Sequence, residues 1–236
     1  MMIQIEINGQ SYPANEGEMI IETADRAGIA IPRFCYHKHL SVAANCRMCL
    51  VDIEGSLKPQ PACATPVNTG MKISTLSKRA VDAQKSVMEL LLINHPLDCP
   101  ICDQGGECEL QDVAMQYGSG VSHFSEGKRI INSKDLGPLI QTDMTRCIHC
   151  SRCIRFGSEI AGMTEMGMVG RGEHVSVEPF IASTIDSELS GNMIDVCPVG
   201  ALTSKPFRYQ VRSWQMHSQP TVARHDSMGS NLYAQC

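Results

Sequence analysis

The N-terminal segment alternates apolar and polar residues as a β-strand does. Isoleucine occupies every second position over residues 3–7, and Asn8-Gly9 follows directly. Asn-Gly is a strong signal for a two-residue hairpin turn, because both residues adopt a positive φ angle easily. A second short strand over residues 11–14 is therefore expected to pair back on the first.

The pattern then changes from a period of two to the spacing of an amphipathic helix. Residues 18–27 place their apolar side chains on one face, and Gly28 suits the C-terminal end of a helix. Three short segments predict returning strands: residues 48–53, 60–64 and 71–74. Hairpin, helix and returning strands together predict a small α+β domain over residues 1–76.

A longer helical pattern begins the next part of the chain. Ser77 is a candidate N-cap for a helix that runs to residue 94, with apolar side chains on one face. This helix and the loop after it are expected to form a small unit over residues 77–118. A third unit is expected over residues 119–207.

The composition excludes several classes of protein. The chain has 236 residues, a net charge of −5 and a pI near 5.9, which argues against nucleic acid as its main partner. Its longest strongly apolar run, residues 87–93, is far too short to span a membrane. The N-terminus lacks the basic and apolar stretches of a secretory signal. We therefore expect a chain of small globular domains in a reducing compartment.

Twelve cysteines are the most unusual feature of a chain with only 5% aromatic residues. In a reducing compartment they are not expected to form six disulfides. Three pairs have the spacing Cys-x2-Cys: Cys46/Cys49, Cys99/Cys102 and Cys147/Cys150. This repetition favours metal ligation over scattered buried thiols.

The first group of cysteines has the spacing Cys-x10-Cys-x2-Cys-x13-Cys and consists of Cys35, Cys46, Cys49 and Cys63. A plant-type [2Fe–2S] site uses Cys-x4-Cys-x2-Cys and a distant fourth cysteine, so here only the first gap is longer. Four thiolates also suit tetrahedral zinc. Zinc sites more often pair two short knuckles, whereas Cys35 and Cys63 are solitary, and a [2Fe–2S] cluster is the favoured interpretation.

The second group has only three cysteines, in the pattern His-x3-Cys-x2-Cys-x5-Cys. Three thiolates cannot complete the ligation of a four-iron cluster, and a nearby histidine is the nearest plausible fourth donor. The predicted set is His95, Cys99, Cys102 and Cys108. Gly105 and Gly106 allow the backbone to approach a cluster closely. A zinc site with the same four ligands is the alternative.

The third group places a cysteine at every third residue, a spacing that wraps one face of a four-iron cluster and matches tetrahedral zinc poorly. In bacterial two-cluster ferredoxins a fourth cysteine follows the triplet and ligates the other cluster. Here that position is Gly157, whereas Cys197-Pro198 stands far downstream. The predicted [4Fe–4S] ligands are Cys147, Cys150, Cys153 and Cys197.

Three arginines, Arg146, Arg152 and Arg155, lie beside this last group. Positive charge near a cluster stabilises its reduced, more negative form. At least one of the three is nevertheless expected to be an ordinary solvated surface residue.

The three motifs, in this order, resemble the large iron–sulfur subunit of NADH–quinone oxidoreductase, respiratory complex I. The strings that carry the resemblance are CRMCLVDIEG, ACATPVNTGM, NHPLDCPICDQGGECELQD, DMTRCIHCSRCIRF and DVCPVGALTSKPFRYQVRSW. The resemblance implies a β-grasp [2Fe–2S] ferredoxin-like domain, a small helical domain with the His95-ligated [4Fe–4S] cluster, and a degenerate bacterial-ferredoxin-like [4Fe–4S] domain. It assigns one [2Fe–2S] and two [4Fe–4S] clusters to the same three ligand sets.

The residues predict an electron carrier without a substrate site. Protein ligands fill every predicted cluster position, and the chain has neither a dinucleotide fingerprint nor a defensible catalytic triad. By resemblance, electrons come from NADH through a flavin on a partner subunit and leave through a further iron–sulfur subunit toward quinone. The resemblance also implies a peripheral position on the cytoplasmic side of the bacterial inner membrane.

The C-terminal part departs from the family. In the family, the segment after residue 207 opens a large domain resembling molybdopterin oxidoreductases, so residues 208–236 are expected to be its truncated start. Some relatives carry a further cluster there, but the matching positions are Ala223, Asp226 and Ser230, and Cys236 is expected to be a free thiol.

Two other functions remain open. One is a diaphorase iron–sulfur subunit of an NAD-linked hydrogenase or formate dehydrogenase, which would usually end soon after the last cluster. The other is a zinc-stabilised interaction module without a redox role.

Overall fold

The first part of the chain is a five-stranded sheet with one helix packed against it. The computed structural model describes residues 2–180, 184–185 and 187–236. The elements of the first part are β1 (Met2–Ile7), β2 (Gln10–Asn15), α1 (Ile20–Arg26), β3 (Leu50–Ile53), β4 (Gln60–Pro61) and β5 (Lys72–Ser74). The strand order is β2-β1-β5-β3-β4, in which β1 and β5 are parallel and the other neighbours antiparallel.

Local sequence signals account for the hairpin and the helix of this sheet. Asn8 and Gly9 have φ angles of 52° and 82°, as a type I′ turn requires, and they join β1 to β2. The buried isoleucines Ile5 and Ile7 of β1 pack with Ile20 of α1 in one core. The predicted hairpin, helix and returning strands are confirmed, although the strands predicted at 48–53 and 60–64 are shorter.

The second part consists of two helices, α2 (Lys78–Leu92) and α3 (Glu109–Tyr117). Ser77 caps α2 as predicted, because its side chain accepts a hydrogen bond from the backbone N–H of Ala80 at 3.1 Å. A hydrogen bond connects helix α2 to the first sheet: the buried Gln84 donates to the carbonyl of Leu50 at 2.9 Å.

The third part is built from short helices and strands, with one strand pair that is local and one that joins distant parts of the chain. These are β6 (Ile140–Thr142), α4 (Arg152–Phe156), a π-helical turn (Gly157–Ala161), β7 (Met166–Val169), β8 (Ser176–Pro179), α5 (Asn192–Val196) and β9 (Leu202–Ser204). Strand β6 pairs with β9 and β7 with β8, both antiparallel. An exposed hairpin of β10 (Ser218–Val222) and β11 (Asn231–Gln235) follows.

One hydrophobic cluster joins the three parts. It includes Phe34 and Met48 of the first part, Met88 of α2, Leu110 of α3, and Val199 before β9. Because cysteines of all three predicted sites contribute to this cluster, the sites lie around a common core rather than on separate surfaces. Within the described ranges, no helix has the length and apolarity needed to cross a membrane.

Candidate metal centres

The first predicted site is a buried group of four thiols, each in contact with at least one other. Cys35 hydrogen-bonds to Cys46 and Cys63, and Cys49 hydrogen-bonds to Cys63. The loop that carries the central pair turns sharply at Arg47, whose φ is 59°. This turn lets the backbone N–H of Cys35 lie 3.4 Å from the sulfur of Cys46. Backbone donors of this kind are one means by which proteins set the properties of iron–sulfur clusters.

Hydrogen bonds between the sulfurs shift the pKa values of these thiols in opposite directions. The hydrogen bond from Cys46 lowers the pKa of Cys35, and the hydrogen bond from Cys63 lowers the pKa of Cys49. The same contacts raise the pKa of Cys46 and Cys63, whose protons are held there. These contacts link the four sulfurs in the order Cys46, Cys35, Cys63 and Cys49, so all four belong to one group that suits a shared cluster.

The second predicted site is a cavity of about 150 Å³. Its lining includes the complete predicted set of His95, Cys99, Cys102 and Cys108. Desolvation lowers the pKa of His95 to about 4, so the ring is neutral near pH 7. Its buried Nδ1 atom has no hydrogen-bond partner within the described part of the chain. A neutral imidazole with a buried, unpartnered nitrogen beside three thiols fits a metal-bound group.

Two glycines leave room for this second site. A Cβ atom at Gly200 would lie 2.2 Å from the sulfur of Cys102, and one at Gly105 would lie 2.8 Å from the carbonyl oxygen of Cys99. Neither distance permits a side chain. The backbone therefore approaches the ligand set closely on two sides, as expected for a site that holds a bulky group.

The third predicted site surrounds a small cavity of about 20 Å³, and its lining includes Cys147, Cys150, Cys153 and Cys197. The triplet wraps this cavity because His149 and Ser151, between its cysteines, have φ angles of 55° and 60°. Burial raises the pKa of Cys147 and of Cys150 to about 12 and that of Cys197 to about 11. Thiolates in such a site need positive charge, which iron supplies.

The arginines beside the third site are all buried, and the expectation of a solvated one is wrong. Arg146 forms ion pairs with Asp98 at 3.2 Å and with Asp143 at 3.1 Å. Arg152 forms an ion pair with Glu109 at 2.7 Å. Arg155 is also buried. Sequence spacing could not show this, because several of the partners come from distant parts of the chain.

A segment near the C-terminus covers the second site, and no sequence pattern indicates this cover. Arg212 donates a hydrogen bond to the carbonyl of Cys99 at 3.1 Å, and Ser213 donates one to the carbonyl of Gly105 at 3.2 Å. Trp214 packs so closely on Gly106 that a Cβ there would lie 2.8 Å from its ring. No spacing or period connects these residues to the cysteines. Cys236, beyond this segment, is an exposed free thiol.

The arrangement of the donor residues can be compared with the one that a single zinc ion requires. Over the residues that the structure covers, no three His, Cys, Asp or Glu side chains are arranged to hold a single metal ion. A tetrahedral zinc ion brings its four ligands to about 2–2.3 Å from one centre. The metal content of the purified chain decides between zinc and iron–sulfur clusters.

Gly200→Ala is expected to impair cluster retention at the second site. Overpacking of this kind costs about 1–3 kcal/mol, and the sulfur of Cys102 would be unable to rotate away if it binds iron as predicted. The measurement is iron content and the thermal midpoint of the anaerobically purified chain. Gly191→Ala is the matched control, because a Cβ at Gly191 meets open space. Equal iron retention in the two variants would contradict the expectation.

Three family models match successive parts of the chain. Residues 1–78 match a 2Fe-2S iron-sulfur cluster binding domain, and residues 84–123 match the NADH-ubiquinone oxidoreductase-G iron-sulfur binding region. Residues 137–203 match the ferredoxin-like domain of NADH-quinone oxidoreductase subunit 3. A 2Fe-2S domain is thus followed by 4Fe-4S ferredoxin-like regions in a mixed α and β chain, as the sequence predicts.

The chain is also similar in sequence to individual proteins over almost its whole length. The chain is 53% identical over 231 residues to the G-subunit of NADH-quinone oxidoreductase from Rickettsia bellii, covering 98% of this chain and 34% of that protein. It is 51% identical to the NADH-ubiquinone oxidoreductase 75 kDa subunit of Reclinomonas americana, covering 98% of this chain and 33% of that one. The chain thus spans about a third of the length of these relatives.

A solved structure shares the fold. It is a crystal structure of NAD+-reducing [NiFe]-hydrogenase in the H2-reduced state, matched with a TM-score of 0.80 and 28% identity over 89% of this chain and 90% of that one. This structural neighbour is a hydrogenase, whereas the sequence relatives are named as subunits of NADH-quinone or NADH-ubiquinone oxidoreductase. The chain belongs to the family of the NADH-quinone oxidoreductase G-subunit and corresponds to an iron–sulfur portion of that subunit.

Proposed function

We propose that this chain relays single electrons through one [2Fe–2S] and two [4Fe–4S] clusters as part of NADH-quinone oxidoreductase. The observation that supports the proposal is that the residues of each predicted ligand set lie close together in the folded chain. The residues of the His95 set and of the Cys147 set each line one cavity, and the sulfurs of the Cys35 set are linked by hydrogen bonds. Each cluster, when bound, would supply reversible one-electron chemistry. The protein's contribution is to fix the sites and set their potentials.

Contacts between the sites support an order for the relay. The carbonyls of Cys35 and Cys150 accept hydrogen bonds from one guanidinium, which places the first site beside the third. The sulfur of Cys108 lies 3.8 Å from the carbonyl oxygen of Pro198, next to Cys197, which places the second site beside the third. We therefore propose that electrons pass in the order first, third, second or its reverse.

A relay of electrons requires one partner that supplies them and one that accepts them. We propose that a flavin-bearing, NADH-oxidising subunit delivers electrons to the chain and that a further iron–sulfur subunit takes them toward quinone. The chain would then be a peripheral part of the complex on the cytoplasmic side of a bacterial inner membrane. The likeness to the NAD+-reducing [NiFe]-hydrogenase favours one alternative, a diaphorase subunit that carries the same clusters in a hydrogenase.

His95→Cys is expected to alter one of three reduced EPR signals and leave the other two unchanged. A thiolate adds one negative charge relative to neutral imidazole, so the midpoint potential of that cluster should become more negative. The measurement is a potentiometric titration of the anaerobic chain followed by low-temperature EPR. A wild-type chain with no iron–sulfur signals would overturn the proposed function. Three unchanged signals in the variant would remove His95 from the ligand set.

A further inference from the structure

Arg155 on helix α4 connects two of the proposed cluster sites. One of its terminal nitrogens donates hydrogen bonds to the carbonyl of Cys35 and, at 3.3 Å, to the carbonyl of Cys150. The other donates to the carbonyl of Ser41. Its Nε donates to the hydroxyl of Ser151 at 3.2 Å. A single side chain thus ties the loop of the first site to the loop of the third.

The charge of Arg155 is balanced differently from that of its two neighbours. Arg146 and Arg152 both pair with carboxylates. In the described part of the chain, the hydrogen-bond acceptors of Arg155 are all neutral carbonyl or hydroxyl oxygens. Glu159 is the nearby acid. Its charge interacts with that of Arg155, but the carboxylate is exposed and accepts its hydrogen bonds from Ser41.

A buried cation that hydrogen-bonds to no carboxylate is costly, and Arg155 is only 8% exposed. Clusters ligated by four thiolates are net negative, and they gain one further negative charge on reduction. The planar guanidinium also bonds several carbonyls at once, which an ammonium does less well. Both features fit a residue placed between two anionic groups.

We propose that Arg155 is a positioning residue that holds the first and third sites in fixed register and raises the reduction potentials of both clusters. The inference rests on the proposed function, because it requires those clusters. Reduction of each cluster adds one electron and no proton, so the buried positive charge stabilises the reduced form directly. The second site, which Arg155 does not contact among the described residues, is unaffected.

The test is a potentiometric EPR titration of the full anaerobic chain carrying Arg155→Met, with Arg155→Lys beside it. The Met variant should shift the midpoints of the first and third clusters to more negative values and leave that of the His95 cluster in place. The Lys variant, which keeps the charge, should shift them less. Arg79→Met is the control, since Arg79 also donates to two backbone carbonyls, of Ser56 and Leu57. In the described part of the chain it hydrogen-bonds to none of the predicted ligands, and its charge pairs with Asp52 at 3.2 Å.

The outcomes separate this inference from the proposed function. Unchanged midpoints in Arg155→Met at full iron content overturn the role of Arg155 alone, whereas a wild-type chain without clusters overturns the proposed function itself. If Arg155→Met loses iron, Arg155→Gln is measured instead, because its amide still donates hydrogen bonds while the charge is gone. A negative shift of both midpoints in that variant supports the inference, and unchanged midpoints overturn it.

Discussion

Removal of iron with a chelator under reducing conditions is expected to abolish cooperative unfolding of the chain. The cysteines of the proposed sites are core residues: Cys49 and Cys63 belong to the core of the first part, and Cys35, Cys108 and Cys150 to the core that joins all three. Structural zinc sites contribute roughly 10–16 kcal/mol to folding. A domain is stable by only about 5–15 kcal/mol, so comparable cluster binding would decide whether the chain folds.

The measurement is thermal unfolding followed by circular dichroism, before and after chelation. The iron-free chain should show a broad, non-cooperative transition, and anaerobic reconstitution with iron and sulfide should restore a sharp one. The first part has the longest strands of the three and an aliphatic core of its own, so any structure left after chelation should reside there. A sharp transition at the original midpoint in the iron-free chain would contradict the dependence of folding on clusters.

Replacement of Cys197 by serine is expected to remove one four-iron cluster. Cys197 is the distant member of the third set, and its charge acts on both Cys150 and Cys153 across the small cavity. With three thiolates left, the iron content should fall from about ten to about six per chain. One of the two [4Fe–4S] EPR signals should disappear, and electron transfer through the chain should stop.

Cys236→Ser is the matched control for this variant, because Cys236 is an exposed free thiol outside all three sites. It should keep about ten irons and every EPR signal. Full iron content in Cys197→Ser would show that another residue completes the third site. Equal losses in both variants would point to general thiol sensitivity instead of ligation.

Elements with strong local signals could be predicted from the sequence. The β1–β2 hairpin follows from the Asn8-Gly9 turn, and α2 follows from the Ser77 cap and its apolar face. The parallel pairing of β1 with β5 joins residues more than sixty positions apart, and no local pattern encodes it. The pairing of β6 with β9 could not be predicted for the same reason, because these strands are also far apart in the sequence. Strands β7 and β8 pair locally, but each has only four residues, which is too short for a clear alternating pattern.

For the candidate sites, too, the sequence predicts some features and not others. Short cysteine spacings indicate the triplet at Cys147 and the pairs at Cys46 and Cys99, because a single loop holds each of them. The environment of these groups depends on contacts from elsewhere in the chain. The burial of Arg155 and the cover that Arg212 places over the second site both arise from tertiary contacts, which the sequence pattern does not show.

The most direct test of the central claim is the iron, acid-labile sulfide and zinc content of the anaerobically purified chain. Three clusters ligated by the proposed residues predict about ten irons and about ten sulfides per chain, with little zinc. Stoichiometric zinc with little iron, persisting after attempted reconstitution with iron and sulfide, would contradict an electron-transfer role and leave a zinc-stabilised module in its place.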